Sequence, residues 1–232
     1  ENITYTIKLG NNKLVNKKIY SKFRDNFFNK FRHIHCPSKF IADQLAQNDY
    51  TAKLHIISNG IQDKFQFTPK EKHDKIVITM VGRLSGEKRQ DLLFEAIKKI
   101  KNEKNIQLVL AGKGPKYKKY VQFGKELTNE PIITFLDEEK LLKLLANTDL
   151  YVHTSDAEIE AISCLEAIAC GNVPIIANSE RSATPQFALD ERSLFEAGNS
   201  DDLAKKIDMW LDNTEELNNM RKIYSESAEK YR

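Results

Sequence analysis

Between an apolar, β-branched run ending at Val81 and a helical pattern beginning near residue 89 lies the stretch Gly82-Arg83-Leu84-Ser85-Gly86-Glu87-Lys88. A glycine-bearing turn that opens a helix presents unpaired backbone N–H groups and the positive end of a dipole, and Arg83 and Lys88 add two formal cations. That is a diphosphate site in outline; a tight turn carrying solvated charges is the other reading. Downstream, Glu158 and Glu166 are eight residues apart. Read as two positions on one helix, they are separated by roughly 12 Å along the axis, at a rise of about 1.5 Å per residue. That is too far for both carboxylates to serve one bond, but it suits opposite ends of one long ligand. A nucleoside diphosphate sugar has that shape, with hexose near Glu158, ribose hydroxyls near Glu166 and the diphosphate between them, opposite Arg83 and Lys88. A solvated helix face is the bland alternative for the glutamate pair.

The stretch Gly112-Lys113-Gly114-Pro115 reads as a close strand-to-helix turn needing glycine backbone freedom, with ligand contact as the alternative. His33, His35, His55 and His73 have no partners at metal-ligand spacing and read as structural or surface residues. His153, at the end of a strand and close to Glu158, is either a site residue or a structural one.

These residues need a scaffold, and the hydrophobic pattern supplies one. Strands over 76–81, 106–111, 132–135, 150–153 and 173–177 alternate with helices over 89–101, 116–127, 138–146 and 161–170. Strict alternation of this kind, with apolar β-branched strands, predicts a doubly wound α/β fold in which a parallel sheet is covered on both faces. Ligands in such folds bind at the carboxyl ends of the strands, where the turn 82–88 and the segment from His153 to Glu158 both fall. Helices over 201–211 and 215–231 close the chain. Ahead of the alternating region come a helix over 13–31, a strand over 33–36, a helix over 39–48 capped by Ser38, and a strand over 54–57 closed by the turn Ser58-Asn59-Gly60. Residues 62–75 are polar without either period, which predicts a linker or hinge.

Composition narrows the class. With 232 residues, 41% hydrophobic and 30% charged, and only six Pro and nine Gly, the chain is globular rather than disordered or collagenous. No apolar run approaches the roughly 18–20 residues that span a bilayer, so an integral membrane protein is not expected. Three cysteines without a C-x-x-C pair point to a reducing compartment and to small core residues. The net charge of +3 is uneven: residues 1–35 hold eight Lys/Arg against two Asp/Glu. Lys17, Lys18, Lys22, Arg24 and Lys30 lie among the phenylalanines of the first helix, a pattern that suits either packing on a neighbouring domain or an anionic lipid surface. Nucleic acid is not an expected partner, because the basic cluster is a single helix in an otherwise slightly acidic chain. The chain begins with Glu1 as if inside a domain, which suggests a fragment.

Three blocks in order, V-G-R-L-S-x-E-K (81–88), A-G-K-G-P (111–115) and E-x7-E-A-x-A-C-G-x-x-P-I-I-A (158–177), resemble the donor-binding half of the retaining GT-B glycosyltransferases of family four. The stretches HIHCPSKFI (33–41), ISNG (57–60) and SATPQFALDERSLFE (182–196) extend the similarity to bacterial glucosyltransferases acting on membrane lipids, the cholesterol α-glucosyltransferases and diacylglycerol glucosyltransferases. The resemblance covers essentially the whole chain and implies glucose transfer from UDP-glucose to a sterol or diacylglycerol hydroxyl, with retention. It assigns Arg83 and Lys88, next to Gly82, to the diphosphate. Glu158 would contact the sugar as the catalytic carboxylate, and Glu166 would hold the ribose. The backbone of Ile159, Glu160, Ala161 and Ile162 would meet phosphate and ribose, and Leu136 and Asp137 would lie against uracil. With two cations at the leaving group and no D-x-D motif, a metal-independent enzyme without a separate cofactor is expected.

The resemblance also divides the chain: 1–60 as the end of the acceptor domain, 61–75 as hinge, 76–213 as the donor domain and 214–232 as a C-terminal helix. An acceptor half should precede residue 1, so this piece alone is expected to be inactive. The whole enzyme is expected in the cytoplasm, peripheral to the inner face of the membrane. One departure from the pattern stands out, because Ile159-Glu160-Ala161 occupies the place where the family commonly has Gly-Phe-Gly. Alternatives are a transferase of capsule or lipopolysaccharide synthesis with a saccharide acceptor, or a nucleotide-sugar-binding or epimerase-like protein that does not transfer.

Overall fold

A computed structural model of the chain describes residues 13–71 and 73–232, and of residues 13–17 only the backbone. Residues 1–12 of the expected acceptor piece, and Lys72, lie outside the described residues. The alternating pattern folds as predicted, into one six-stranded parallel sheet. Its strands are β3 (Ile76–Val81), β4 (Ile106–Ala111), β5 (Ile132–Thr134), β6 (Leu150–His153), β7 (Val173–Asn178) and β8 (Leu194–Glu196), in the order β5-β4-β3-β6-β7-β8. The order reverses between β3 and β6, where the crossovers leave in opposite directions and open a crevice at the strands' carboxyl ends. β6 is buried along its whole length and β7 along all but its last residue, which accounts for their unbroken apolar runs.

The helices are α3 (Gln90–Ile97), α4 (Tyr117–Gly124), α5 (Glu138–Ala146), α6 (Ile162–Ala169), α7 (Ser200–Asp212) and α8 (Thr214–Ala228). α3 packs against α4 and α7, and α6 against α8. Their starts are set by side-chain caps: Asp137 accepts from Lys140 N at 3.0 Å, Asn199 from the N–H groups of Asp201 and Asp202, and Asn213 from Glu216 N. Trp210, Tyr120, Tyr151 and Tyr224 are the largest fully buried side chains, and each places its polar atom on a partner; Trp210 Nε1, for instance, donates to the Arg192 carbonyl. The three cysteines are buried free thiols. Among the described residues no helix is long and apolar enough to cross a membrane.

A second, two-stranded parallel sheet pairs β1 (His33–Cys36) with β2 (Lys53–Ile56); α2 (Lys39–Gln47) packs on both strands, and α1 (Lys13–Asn26) precedes them in the chain. Ser38 caps α2 through Ile41 N, as its position predicts.

Three expectations change. The first helix stops at Asn26, five residues short of the predicted end: Asn26 Nδ2 donates back to the Lys22 carbonyl, Phe27 leaves the helical region at φ −125°, and a 3-10 turn over Phe28–Lys30 follows. The segment 61–75 lies against the six-stranded body, with Ile61 and Phe65 in its core and Phe67 so close to Gly171 that a Cβ there would stand 2.5 Å from the ring. Lys70 pairs with Asp149, and Glu71 N donates to Asn147. Polarity hides this packing, because the apolar anchors Ile61, Phe65 and Phe67 stand among charged and polar residues that show no period. Finally, β8 was not predicted; it is three residues long and follows two 3-10 turns, Thr184–Phe187 and Glu191–Ser193, so it shows no period.

Candidate functional site

The turn after β3 and the loop after β6 meet at the crevice where the strand order reverses. Lys88 Nζ pairs with Glu158 Oε1, and the same oxygen lies 3.0 Å from His153 Nε2. His153 is fully buried beneath the carboxylate, which is itself only 11% exposed. Burial pushes the Glu158 carboxyl up, but the His153 hydrogen bond and the Lys88 ammonium outweigh it and hold the group at about 2. Glu158 is therefore a shielded, permanently ionised carboxylate at the strand ends. His153 lies behind it as its hydrogen-bond partner.

The loops around the pair are fastened to one another. Thr154 Oγ1 donates to the Lys88 carbonyl at 2.8 Å, Asp156 N to the Glu87 carbonyl at 2.9 Å, and Ser179 Oγ to the Asp156 carbonyl at 2.6 Å. Gln90 Nε2 braces the turn through the Arg83 carbonyl at 2.8 Å. Arg83 itself is exposed, and its guanidinium makes no hydrogen bond or ion pair among the described residues. It is a cation facing solvent, whereas Lys88 is already paired.

Gly82 and Arg83 also line an open cavity of about 600 Å³ with residues 112–114, Phe135, Leu136 and Leu141. A Cβ on Gly82 would sit 3.7 Å from Lys88 Cε, so the lysine stem connects this cavity to the Glu158 cluster. The glycines of the 112–114 stretch are needed for space: a Cβ on Gly112 would lie 1.9 Å from the Gly82 carbonyl oxygen, and one on Gly114 2.4 Å from that of Leu84. Neither needs a left-handed backbone, so close approach replaces conformational freedom as their reason. Lys113 lies over the Phe135 ring at 4.6 Å.

Of the two residues expected against a base, Leu136 lines the cavity. The Asp137 carboxylate caps α5 and pairs with Lys140 Nζ at 2.8 Å. Glu166 stands on α6, half-buried and without a hydrogen-bond partner among the described residues, within electrostatic range of Lys64 and of Glu138 next to Asp137. Burial lifts its carboxyl to about 7. An under-solvated carboxylate lacking donors is a ready acceptor for hydroxyl groups.

The one-helix geometry expected of the glutamates does not hold. α6 starts at Ile162, and Glu158 lies in the loop before it, past Ala161, which turns the chain through a left-handed conformation at φ +66°. The rise-per-residue distance therefore does not apply. A left-handed conformation costs a non-glycine residue about 1–2 kcal/mol, and it occurs here where the family pattern has glycine. Ile159 and Ile162 are exposed beside Glu158, whereas Glu160 is buried, with its carboxylate held by Ser58 and Asn59. Glu160 thus offers a ligand only its backbone. The holding residues Ser38, Ser58 and Asn59 were not identified from sequence, since they act across more than a hundred positions.

The family model for glycosyl transferases group 1 matches residues 61–230. The catalytic domain of cholesterol-α-glucosyltransferase from Helicobacter pylori is 48% identical and superposes with a TM-score of 0.66, covering 68% of this chain and 99% of that one. Anabaena Alr3699/HepE in complex with UDP-glucose shares the fold at 19% identity and a TM-score of 0.79, covering 95% of this chain and 64% of that one. Among curated relatives, the phosphatidylinositol N-acetylglucosaminyltransferase GPI3 subunit of Saccharomyces cerevisiae is 28% identical over 130 residues, 54% of this chain and 28% of the yeast protein. The chain thus spans little more than a quarter of that relative's length. With its doubly wound sheet, its basic turn and the Glu158 cluster at the switch point, the chain belongs to the group 1 glycosyl transferases, of GT-B fold.

Proposed function

We propose that this chain is the donor-binding part of a retaining glycosyltransferase that moves glucose from UDP-glucose to the hydroxyl of a membrane lipid, a sterol or a diacylglycerol. The observation that carries the reading is the Lys88–Glu158–His153 cluster at the sheet's switch point, next to the exposed Arg83. The lipid acceptor is supported by the 48% identity to a cholesterol-α-glucosyltransferase domain. In this reading uracil enters the cavity at Leu136, the ribose hydroxyls donate to Glu166, and the diphosphate lies along Gly82 toward Arg83 and Lys88. Arrival of the diphosphate draws Lys88 away from Glu158 and frees that carboxylate for hexose hydroxyls. When the bond from the anomeric carbon to the diphosphate oxygen breaks, charge grows on UDP and the two cations stabilise it. That neutralisation does not call for a metal ion. The proposed site of action is the cytoplasmic face of the membrane.

Charge-assisted contacts contribute about 1.5–3 kcal/mol each, so Arg83→Ala should weaken UDP binding by roughly ten- to a hundredfold in calorimetry. Glu158→Gln should spare UDP affinity and lower that for UDP-glucose. Absence of UDP binding by the folded chain at millimolar nucleotide would overturn the donor assignment.

Glu166 carries a trade-off with a definite sign. Its folded pKa of about 7 lies above the ordinary 4.5, so the fold bears no penalty below pH 4.5, loses stability as pH rises from there to 7, and bears the full loss above 7. Glu166→Gln should therefore match the parent's stability near pH 4 but melt at a higher temperature at pH 8, a gain of up to about 3 kcal/mol, while binding UDP more weakly. Equal melting temperatures at pH 8, followed by calorimetry or circular dichroism, would contradict the buried-carboxylate account.

Membrane contact is proposed for α1 and the turn after it. Phe23, Phe27 and Phe31 are 42%, 47% and 49% exposed, with ring centroids 5.3 Å apart along the row, and Lys18, Lys22 and Lys30 are exposed among them. Arg24 does not belong to this face, because it is pinned to the Asn48 carbonyl and Asp49. The Lys17 side chain lies outside the described residues. Each Lys near an anionic surface contributes about 1 kcal/mol. Changing Lys17, Lys18, Lys22 and Lys30 to Ser should abolish low-salt co-sedimentation with anionic vesicles and leave UDP affinity intact. Failure of the parent chain to sediment would leave the helix as a packing element.

A further inference from the structure

Glu160 is an acidic residue with 1% of its surface exposed and, among the described residues, no cation paired with it. Among those residues, its side-chain hydrogen bonds come from one turn about a hundred positions away. The Ser58 hydroxyl donates to Oε1, the Asn59 backbone N–H to both oxygens at 3.2 and 3.1 Å, and Asn59 Nδ2 to Oε2. Ser58 Oγ in turn accepts from Gly60 N at 3.0 Å, which closes the turn on itself. Next door, Ser38 Oγ donates to the Ile159 carbonyl at 2.7 Å while it caps α2. Two consecutive loop residues are thus held by the segment that carries β1 and β2.

The residues on either side are held by the six-stranded body. Glu158 is fixed through Lys88 and His153, and its carbonyl accepts from Ala183 N at 2.9 Å. Ala161 caps α6 from its left-handed conformation. A short loop gripped from two sides, with a strained residue at its end, keeps its shape only while both grips last.

We infer that Glu160 is a positioning residue that fastens the sugar-facing loop 158–161 to the 58–60 turn, so that donor-site occupancy and the order of the N-terminal segment are coupled. The coupling rests on the donor assignment above; the clamp itself does not. Coupling of this kind is reciprocal: a ligand that orders the loop must also steady the turn, and loosening the turn must weaken the ligand that uses the loop. The weakening should fall on the hexose end, because Glu158 belongs to the clamped loop and Glu166 to the helix beyond it.

The test is hydrogen–deuterium exchange on the whole chain, free and with saturating UDP or UDP-glucose, for the parent, Glu160→Ala and Glu160→Gln. In the free protein Glu160→Ala should speed exchange about tenfold or more at both 57–60 and 158–163, with 150–153 unchanged; Glu160→Gln, which keeps an acceptor oxygen, should fall between. UDP-glucose should slow exchange at 57–60 in the parent but not in Glu160→Ala. UDP-glucose affinity should drop about tenfold in Glu160→Ala while UDP affinity stays within about twofold, a ratio that general destabilisation would not move. If Glu160→Ala does not fold, the double variant Ser58→Ala, Asn59→Ala removes the side-chain donors from the other side and should raise exchange at 158–163 in the same way. Unchanged exchange at 158–163 in the folded variant overturns the clamp, and an unchanged UDP-glucose to UDP ratio overturns the coupling. A parent chain that binds neither nucleotide overturns the donor reading, and with it the coupling, while exchange in the free protein still decides the clamp.

Discussion

A carboxylate enclosed at the end of a parallel sheet stays ionised only where neighbouring charge and hydrogen bonds outweigh the cost of leaving water. At Glu158 that compensation comes from Lys88 and His153, which arrive from the two strands bordering the switch point. The pair requires β3 and β6 to be neighbours, the turn 82–88 to reach across the crevice, and the loop 154–158 to lie back against it. Hydrogen bonds from Thr154 to Lys88 and from Asp156 to Glu87 meet the last requirement. Removing Lys88 would leave the buried Glu158 charge with no formal cation beside it among the described side chains, and removing His153 would take away the hydrogen bond beneath it.

The same arrangement makes the ligand-free protein self-satisfied in one place and under-satisfied in another. Lys88 and Glu158 neutralise each other, while Arg83 faces solvent and Glu166 holds a half-buried carboxylate with no donor among the described residues. An elongated ligand with a dianionic centre, a diol on one side and hydroxyls on the other would satisfy all four groups. The site's shape is kept by backbone and side-chain constraints around it: glycines that let the 82–84 and 112–114 backbones press together, Ala161 in a left-handed turn, and the Glu160 carboxylate tied to the 58–60 turn.

Much of this was legible in the residues. The alternation of β-branched strands with amphipathic helices predicts the parallel sheet, and the turns following its strands direct attention to Arg83, Lys88 and Glu158, of which the fold brings Lys88 and Glu158 into contact. What escaped shares one physical feature, dependence on distant partners. Strand β8 exists because β7 offers an edge, and Ile61 and Phe65 are buried because the body has room for them. Glu160 resembles a solvated charge until the 58–60 turn is laid beside it. The spacing of Glu158 and Glu166 misled in another way. A helical rise was applied to residues that a left-handed alanine separates into loop and helix.

The account turns on whether the Lys88–Glu158 pair at the switch point is the resting state of a sugar-diphosphate site. A crystal structure of the chain with UDP-glucose tests it directly. The account predicts the diphosphate within hydrogen-bonding distance of Arg83 and Lys88, hexose hydroxyls on Glu158 and the ribose on Glu166. A nucleotide bound elsewhere, with Lys88 still closed on Glu158 and the turn 82–88 untouched, would contradict it.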